Sequence, residues 1–260
     1  MTPIALTIAG SDPGGGAGIQ ADLKTFHQLR VFGTAAITLI TVQNSTGMSR
    51  VEVLDPDLVG EQIDAVLEDF PPQAAKTGAL GNAAVIEAIA SRSFACPLIV
   101  DPVILAKHGK PLMEPAARDV LRQVLVPRAA LITPNLAEAS LLASTPVANV
   151  DQMKEAAERI AEFGARSVLV KGGHLEGAET VDVLYHAGLF TEFRAPRLET
   201  RHTHGTGCTY SAAITAFLAR GLPLPEAVRR AHRFVHEAIR TNPGLGAGAG
   251  PLNYWADDSL

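Results

Sequence analysis

Cysteine is nearly missing from this chain. Its 260 residues hold two, Cys96 and Cys208, too few for a disulfide framework, and a reducing compartment suits them. A basic excess is missing too: 22 Lys and Arg stand against 27 Asp and Glu, a formal charge of -5. Nothing would neutralise a phosphate backbone, which excludes a general nucleic-acid binder but leaves room for a small local phosphate pocket. No run of 18 or more uncharged apolar residues occurs, and no basic segment followed by an apolar one opens the chain. We therefore expect no membrane partner and a soluble, cytoplasmic protein. Repeats and low-complexity linkers are also lacking. What remains is 47% hydrophobic and 19% charged, enough to bury a core and to exclude wholesale disorder. Length alone permits one large α/β domain or two small ones; with no internal linker, one domain over 1–260 is expected.

Strand-like and helix-like segments alternate throughout. Ile4–Ala9 is a short apolar run that ends in glycines, followed by a helical pattern over Ala17–Leu29. The β-branched run Thr34–Val42 precedes a helix over Pro56–Phe70, in which Leu58, Ile63, Val66 and Leu67 recur at helical spacing. Further strands are expected at Ala74–Lys76, Pro97–Val100, Leu131–Thr133 and Ser167–Lys171, with helices over Ala83–Ala90 and Asp151–Phe163. A pair of strands, Thr180–Tyr185 and Leu189–Arg194, surrounds a turn at Ala187-Gly188, and helices over Cys208–Ala219 and Leu224–Arg240 close the core. Apolar strands joined by helices indicate an α/β fold, its sheet mostly parallel and covered on both faces. Gly244–Gly250 reads as a surface flap or tail.

Ligands of open α/β sheets sit outside the carboxyl ends of the strands, and here those ends carry polar groups and glycines: Gly10–Gly18, Gln43-Asn44-Ser45, Lys76-Thr77-Gly78, Asp101, Asn135, Lys171–His174 and His204–Cys208. Nine of the 23 glycines fall in three of these segments. Any one would pass for a turn; together they mark one face. The first loop is not a dinucleotide fingerprint, because Ala21 stands in the third glycine position and no acidic residue closes the next strand, which ends Thr41-Val-Gln-Asn44. It also lacks the Gly-Lys-Ser/Thr end of a P-loop. It suits a backbone approaching a small substrate, with Asp22 one turn further in.

The strongest local signal is Thr203–Thr209, Thr-His-Gly-Thr-Gly-Cys-Thr, which opens a helix. The N–H groups of Gly205, Thr206, Gly207 and Cys208 would lie free at its N-terminus, suited to anionic oxygen, and the same dipole should favour a Cys208 thiolate. Cys208 could then take a proton from an alcohol while the amides stabilise a phosphoryl group in flight. Cys96, before Pro97 at a strand start, reads as structural. Asn135 and Glu138, three apart at a strand-to-helix junction, can hold hydrated Mg²⁺ or form a capping box; local sequence leaves both open. Lys171, before two glycines, could meet ATP phosphates.

These stretches resemble the ribokinase-like superfamily, and within it the hydroxymethylpyrimidine/phosphomethylpyrimidine kinases of thiamine biosynthesis. The likeness rests on Ala9–Phe26, Val42–Gly47, Lys76–Gly81, Val100–Val103, Thr133–Ala139, Val170–His174 and His202–Ala213, in order along most of the chain. It implies a three-layer α/β/α fold, a homodimer, and ATP with Mg²⁺ as the phosphoryl source. It further implies that Gly10, Asp22, Gln43 and Val103 hold an aminopyrimidine. Asp101, Asn135, Glu138 and Lys171 would face ATP, Asn135 and Glu138 reaching Mg²⁺ through water, and Cys208 would be the catalytic cysteine. Ala79 replaces the methionine usual after Lys-x-Gly, leaving extra room against the ring, and the tail Gly246–Gly250 lacks a histidine often found there. A pyridoxal or pyridoxine kinase of the same superfamily is the alternative enzyme, and a non-catalytic pyrimidine-binding protein the alternative of another class.

Overall fold

The computed structural model describes residues 2–106 and 109–257. Nine strands form one sheet in the order β3-β2-β1-β4-β5-β6-β7-β8-β9. Its centre is parallel: β1 (Ile4–Ser11) lies between β2 (Phe32–Asn44) and β4 (Ala74–Thr77), then come β5 (Leu98–Val100), β6 (Leu131–Ile132) and β7 (Ser167–Val170). The edges are antiparallel. β3 (Gly47–Val53) folds back on β2, while β8 (Glu179–His186) and β9 (Leu189–Pro196) meander away from β7.

Two cores sandwich this sheet. On one face α2 (Pro56–Asp69), α3 (Ala83–Ala90), α4 (Pro115–Val120), α5 (Leu136–Ala143) and α6 (Val150–Ala161) contribute to a cluster that includes Val59, Ile86, Ala117, Ala139 and Met153. On the other, α1 (Gly18–Gln28), α7 (Thr206–Ala219) and α8 (Leu224–Arg240) bury Phe26, Phe217 and Phe234. The α/β/α architecture is the expected one. α7 is buried on nearly every side from Thr209 to Phe217, as a helix without a polar face must be. Its N-terminus is thereby fixed against the sheet, at the carboxyl ends of the central strands.

Three features lie where periodicity predicts none. β3 reads Gly-Met-Ser-Arg-Val-Glu-Val and alternates toward solvent, so its apolar signal is weak; Met48 alone is buried. α4 continues through a π-helical turn, Leu121–Leu125, into a 3₁₀ turn, Val126–Arg128, where Pro115 and Pro127 interrupt any simple pattern. The Gly/Ala-rich tail is at the surface but tied down: Ala249 N–H donates to Ser45 O (2.9 Å) and Gly248 N–H to Ser45 Oγ (3.2 Å), in the β2–β3 turn. Among the described residues no helix is long and apolar enough to cross a membrane.

Because Phe217 is fully buried between α7 and its neighbours, Phe217→Ala should destabilise the protein by about 3–5 kcal/mol, read as a shift of the urea midpoint.

Candidate active site

The glycine loop after β1 is organised by a carboxylate. Asp12 is buried, and its Oδ1 accepts the Gly14 N–H (2.8 Å) while Oδ2 accepts those of Gly16 (3.1 Å) and Ala17 (2.9 Å). Burial opposes charge on Asp12, but the hydrogen bond from His204 and those from the loop amides outweigh it and hold the carboxyl below its ordinary range. Gly18 starts α1 at φ +57°, where a side chain would overlap the Gly10 carbonyl oxygen. Gly205 sits at φ +81°, just before α7, and a side chain there would overlap the Gly16 carbonyl oxygen. Position 205 therefore demands glycine twice, by dihedral and by space. The two glycine segments, far apart in sequence, touch backbone to backbone.

Beneath them lies an ion pair fully removed from water. Lys76 Nζ, at the end of β4, donates to Asp22 Oδ2 (2.7 Å), which also accepts from Thr7 Oγ1 (2.6 Å). Asp22 Oδ1 is buried without a hydrogen-bond partner. Burial pushes the Asp22 carboxyl up, and Lys76 offsets part of that. The same burial works against charge on Lys76, yet Asp22, with help from Asp101, holds the ammonium charged. One carboxylate oxygen is thus committed to lysine and the other is open to a donor.

A second pair stands under the start of α7. Asp101, just past β5, accepts from Lys171 Nζ (2.9 Å) and Thr133 Oγ1 (3.1 Å) at Oδ1 and from Ser211 Oγ (3.1 Å) at Oδ2. A Cβ on Gly207 would come within 3.3 Å of Lys171 Nζ and 3.9 Å of Asp101 Oδ2, so the backbone at the start of α7 lies directly over this pair. Lys171 is on an interior strand end rather than a sheet edge. Burial alone would lower its pKa; Asp101 and Glu138 raise it.

Asn135 and Glu138 form the capping box of α5: Asn135 Oδ1 accepts the Glu138 N–H (2.9 Å) and Glu138 Oε2 accepts the Asn135 N–H (2.8 Å). Glu138 nevertheless faces the charged centre. Burial pushes its carboxyl up to about 7, with Lys171 acting against that and Asp101 with it.

Cys208 is partly exposed and receives the Gly18 N–H. Here the dipole expectation fails. Desolvation and the carboxylates of Asp22 and Asp101 outweigh Lys76 and the Gly18 amide, and the thiol is pushed up to about 12. Cys208 is a neutral thiol at physiological pH. Cys96, also partly buried, is pushed up to about 11 by burial alone.

The remaining expected residues lie at the ends of β1, β2 and β5 and at the start of α7. Gly10 packs against Leu39, Val103 follows Asp101 and returns its N–H to the Asp101 carbonyl (2.9 Å), and Thr206 Oγ1 donates to Thr203 O (2.8 Å). Gln43 is in the β2–β3 hairpin, where with Asn44, Met48 and Lys110 it lines a cavity of about 420 Å³. Sequence reasoning placed Lys76, Asp12 and His204 in the strand-end segments but assigned none of them a role. A lysine closing the buried strand Ala74–Thr77 was the signal for the first; the other two needed the fold. Lys76→Met, which strands a carboxylate, should cost about 3–5 kcal/mol, and adding Asp22→Asn should recover a large part of it, both measured by urea denaturation.

The chain matches the family model for phosphomethylpyrimidine kinase over residues 12–253. It is 45% identical to a hydroxymethylpyrimidine/phosphomethylpyrimidine kinase of Bacillus subtilis over 97% of this chain and 94% of that protein. Among solved structures it is similar to the ADP complex of a Bacillus subtilis pyridoxal kinase, with a TM-score of 0.92, 38% identity and 98% of both chains covered. It is likewise similar to a phosphomethylpyrimidine kinase from Clostridium difficile, with a TM-score of 0.81, 42% identity, and coverage of 91% of this chain and 99% of that one. Matched over nearly its whole length in sequence and fold, the chain belongs to the phosphomethylpyrimidine kinase family.

Proposed function

We propose that the protein transfers the γ-phosphoryl group of ATP to 4-amino-5-hydroxymethyl-2-methylpyrimidine and then to its monophosphate, giving the diphosphate used to make thiamine diphosphate. One observation carries this reading: the start of α7 stands between an open carboxylate oxygen on Asp22 and the Lys171–Asp101 pair. Such an arrangement would give a substrate site a ring end and a phosphate end. Asp22 Oδ1 would accept a hydrogen bond from the exocyclic amine, with Gly10, Gln43 and Val103 around the ring. Lys171 and the amides of Gly205, Thr206, Gly207 and Cys208 would receive the phosphates, with Asp101 keeping Lys171 charged.

Among the described residues no group of three or more His, Cys, Asp and Glu forms a ready metal cage, and Asn135 Oδ1 is committed to its cap. That donor set fits Mg²⁺ carried on the triphosphate and reaching Glu138 and Asn135 through water. When bound, the ion supplies positive charge to the β- and γ-phosphates. We further read residues 1–260 as one catalytic domain of a cytoplasmic homodimer; the exposed Phe32, Ile40 and Val42 on β2, the strand next to the β3 edge, support an interface on that side of the sheet.

The raised thiol supports an orienting role for Cys208. A neutral Sγ–H orients the hydroxymethyl oxygen rather than taking its proton. The proton leaves to a phosphoryl oxygen as the new O–P bond forms and the bond to ADP breaks, which a loose transition state allows without a strong base. Cys208→Ala should lower kcat for the alcohol about 10- to 100-fold and affect the monophosphate much less, since that acceptor is already anionic. With the thiol pKa raised to about 12, it stays protonated well past neutrality. The pH profile of the first step should then show no thiol limb between about pH 6 and 9; a limb near pH 8 that vanishes in Cys208→Ala would restore the thiolate base.

Pyridoxal is the competing alcohol, favoured by the room at Ala79 and by the similarity to a pyridoxal kinase. Steady-state kinetics on both alcohols decide between them. The pyrimidine should have the higher kcat/KM, and the reverse order would overturn the assignment. ADP release that depends on the alcohol excludes a binding protein without turnover.

A further inference from the structure

The contact between the two glycine segments includes a side-chain pair that neither ring binding nor phosphate binding requires. His204 Nε2 meets Asp12 Oδ2 at 2.9 Å across 192 residues of chain, and both side chains are largely buried. Asp12 is the carboxylate on which the loop amides of Gly14, Gly16 and Ala17 converge. His204 precedes Gly205, and its own N–H is anchored on Gly250 O (3.1 Å). Around this pair the fit is tight, because a Cβ on Gly16 would come within 2.7 Å of the His204 ring. Tyr254 OH donates to Gly16 O (2.7 Å) from the other side. Since Asp12 accepts, Nε2 carries the hydrogen, and it does so whether the ring is neutral or charged.

We propose that Asp12 and His204 are a positioning pair that fixes the separation between the loop holding the acceptor alcohol and the amides holding the transferring phosphoryl group. The proposal rests on the kinase reading above. Neither residue touches the reacting atoms; the effect passes through Gly16 and Ala17 on one side and Gly205 on the other. In-line transfer requires the reacting atoms about 3–3.5 Å apart, and a misplacement of about 1 Å costs on the order of 100-fold in rate. A pair acting only on that separation should govern kcat and leave the affinity for each substrate almost unchanged.

The test compares His204→Ala, His204→Gln and Asp12→Asn with the wild-type protein, after thermal melts confirm that each variant is folded. His204→Ala should lose about 10- to 100-fold in kcat, while KM for alcohol and for ATP stays within about 3-fold. The amide of His204→Gln can still donate to Asp12, and it should recover most of the loss. Asp12→Asn combined with His204→Ala should be no slower than the slower single variant, as expected for residues acting as one unit. Hydrogen exchange supplies a readout that needs no substrate: the amides of Gly14, Gly16 and Ala17 should exchange faster in His204→Ala. An unchanged kcat, a rise in KM at constant kcat, or equal impairment of the Ala and Gln variants would each overturn the pair. If wild type fails to phosphorylate the pyrimidine, the kinase reading falls instead, and the exchange experiment still scores the pair by itself.

Discussion

The carbonyl oxygen of Gly16 occupies the space that any side chain at position 205 would need. Much of the site follows from that one contact. It obliges position 205 to be glycine, brings the end of the first strand against the start of the buried helix α7, and leaves Cys208 beside the Gly18 amide. Glycine is an entropic burden, costing about 0.5–1 kcal/mol within a regular element relative to alanine. At 205 the left-handed φ and the lack of room make any other residue costlier still. The clustering of glycine in the sequence is therefore the imprint of two backbones pressed together, with a small ligand expected where they part.

Such close packing at strand ends creates a problem of charge. Asp22, Lys76, Asp101, Lys171 and Glu138 all lie in or beside a space largely closed to water. An isolated ion there would lose several kcal/mol of hydration. The solution is alternation: lysine against carboxylate at 2.7 Å for Lys76–Asp22 and at 2.9 Å for Lys171–Asp101. Three carboxyl groups face two ammonium groups; burial, with Asp101 adding to it and Lys171 acting against it, pushes Glu138 up to about 7. Alternation of this kind contributes less to stability than to geometry, because hydrophobic replacements of buried pairs are often as stable. Its value is that the polar atoms are fixed before a ligand arrives.

Most of the architecture was legible in the sequence, for a definite reason. Strands buried on both faces, such as β4 and β7, are short apolar runs closed by polar residues, and helices such as α3 and α8 carry their period and their breaks openly. β3 escaped because one of its faces meets solvent, and α4 because proline and a π turn disturb the period. Within the site, residues next to glycines announced themselves. Asn135 and Glu138 were legible as a cap, a local interaction three residues long. Lys76–Asp22 spans 54 residues and Asp12–His204 spans 192, and no local pattern encodes such a partner. The error over Cys208 has the same origin. A helix N-terminus can be read from sequence, whereas the two carboxylates that converge on the thiol, from α1 and from the end of β5, cannot.

That error bears on the chemistry. A thiolate beside Asp22 and Asp101 would add a third negative charge where a triphosphate is proposed to settle, and Coulomb repulsion inside a protein far exceeds its value in water. A neutral thiol avoids this. It can still orient a hydroxymethyl group, being small, polarizable and weakly polar, and it leaves Lys171 and the helix amides free to meet phosphate oxygen. The overall charge of -5 poses no obstacle by the same reasoning, because screening limits exposed charges to a range of about 10 Å. On the proposed reading, a phosphate group at the start of α7 would meet one lysine, a row of amides and a thiol that keeps its proton.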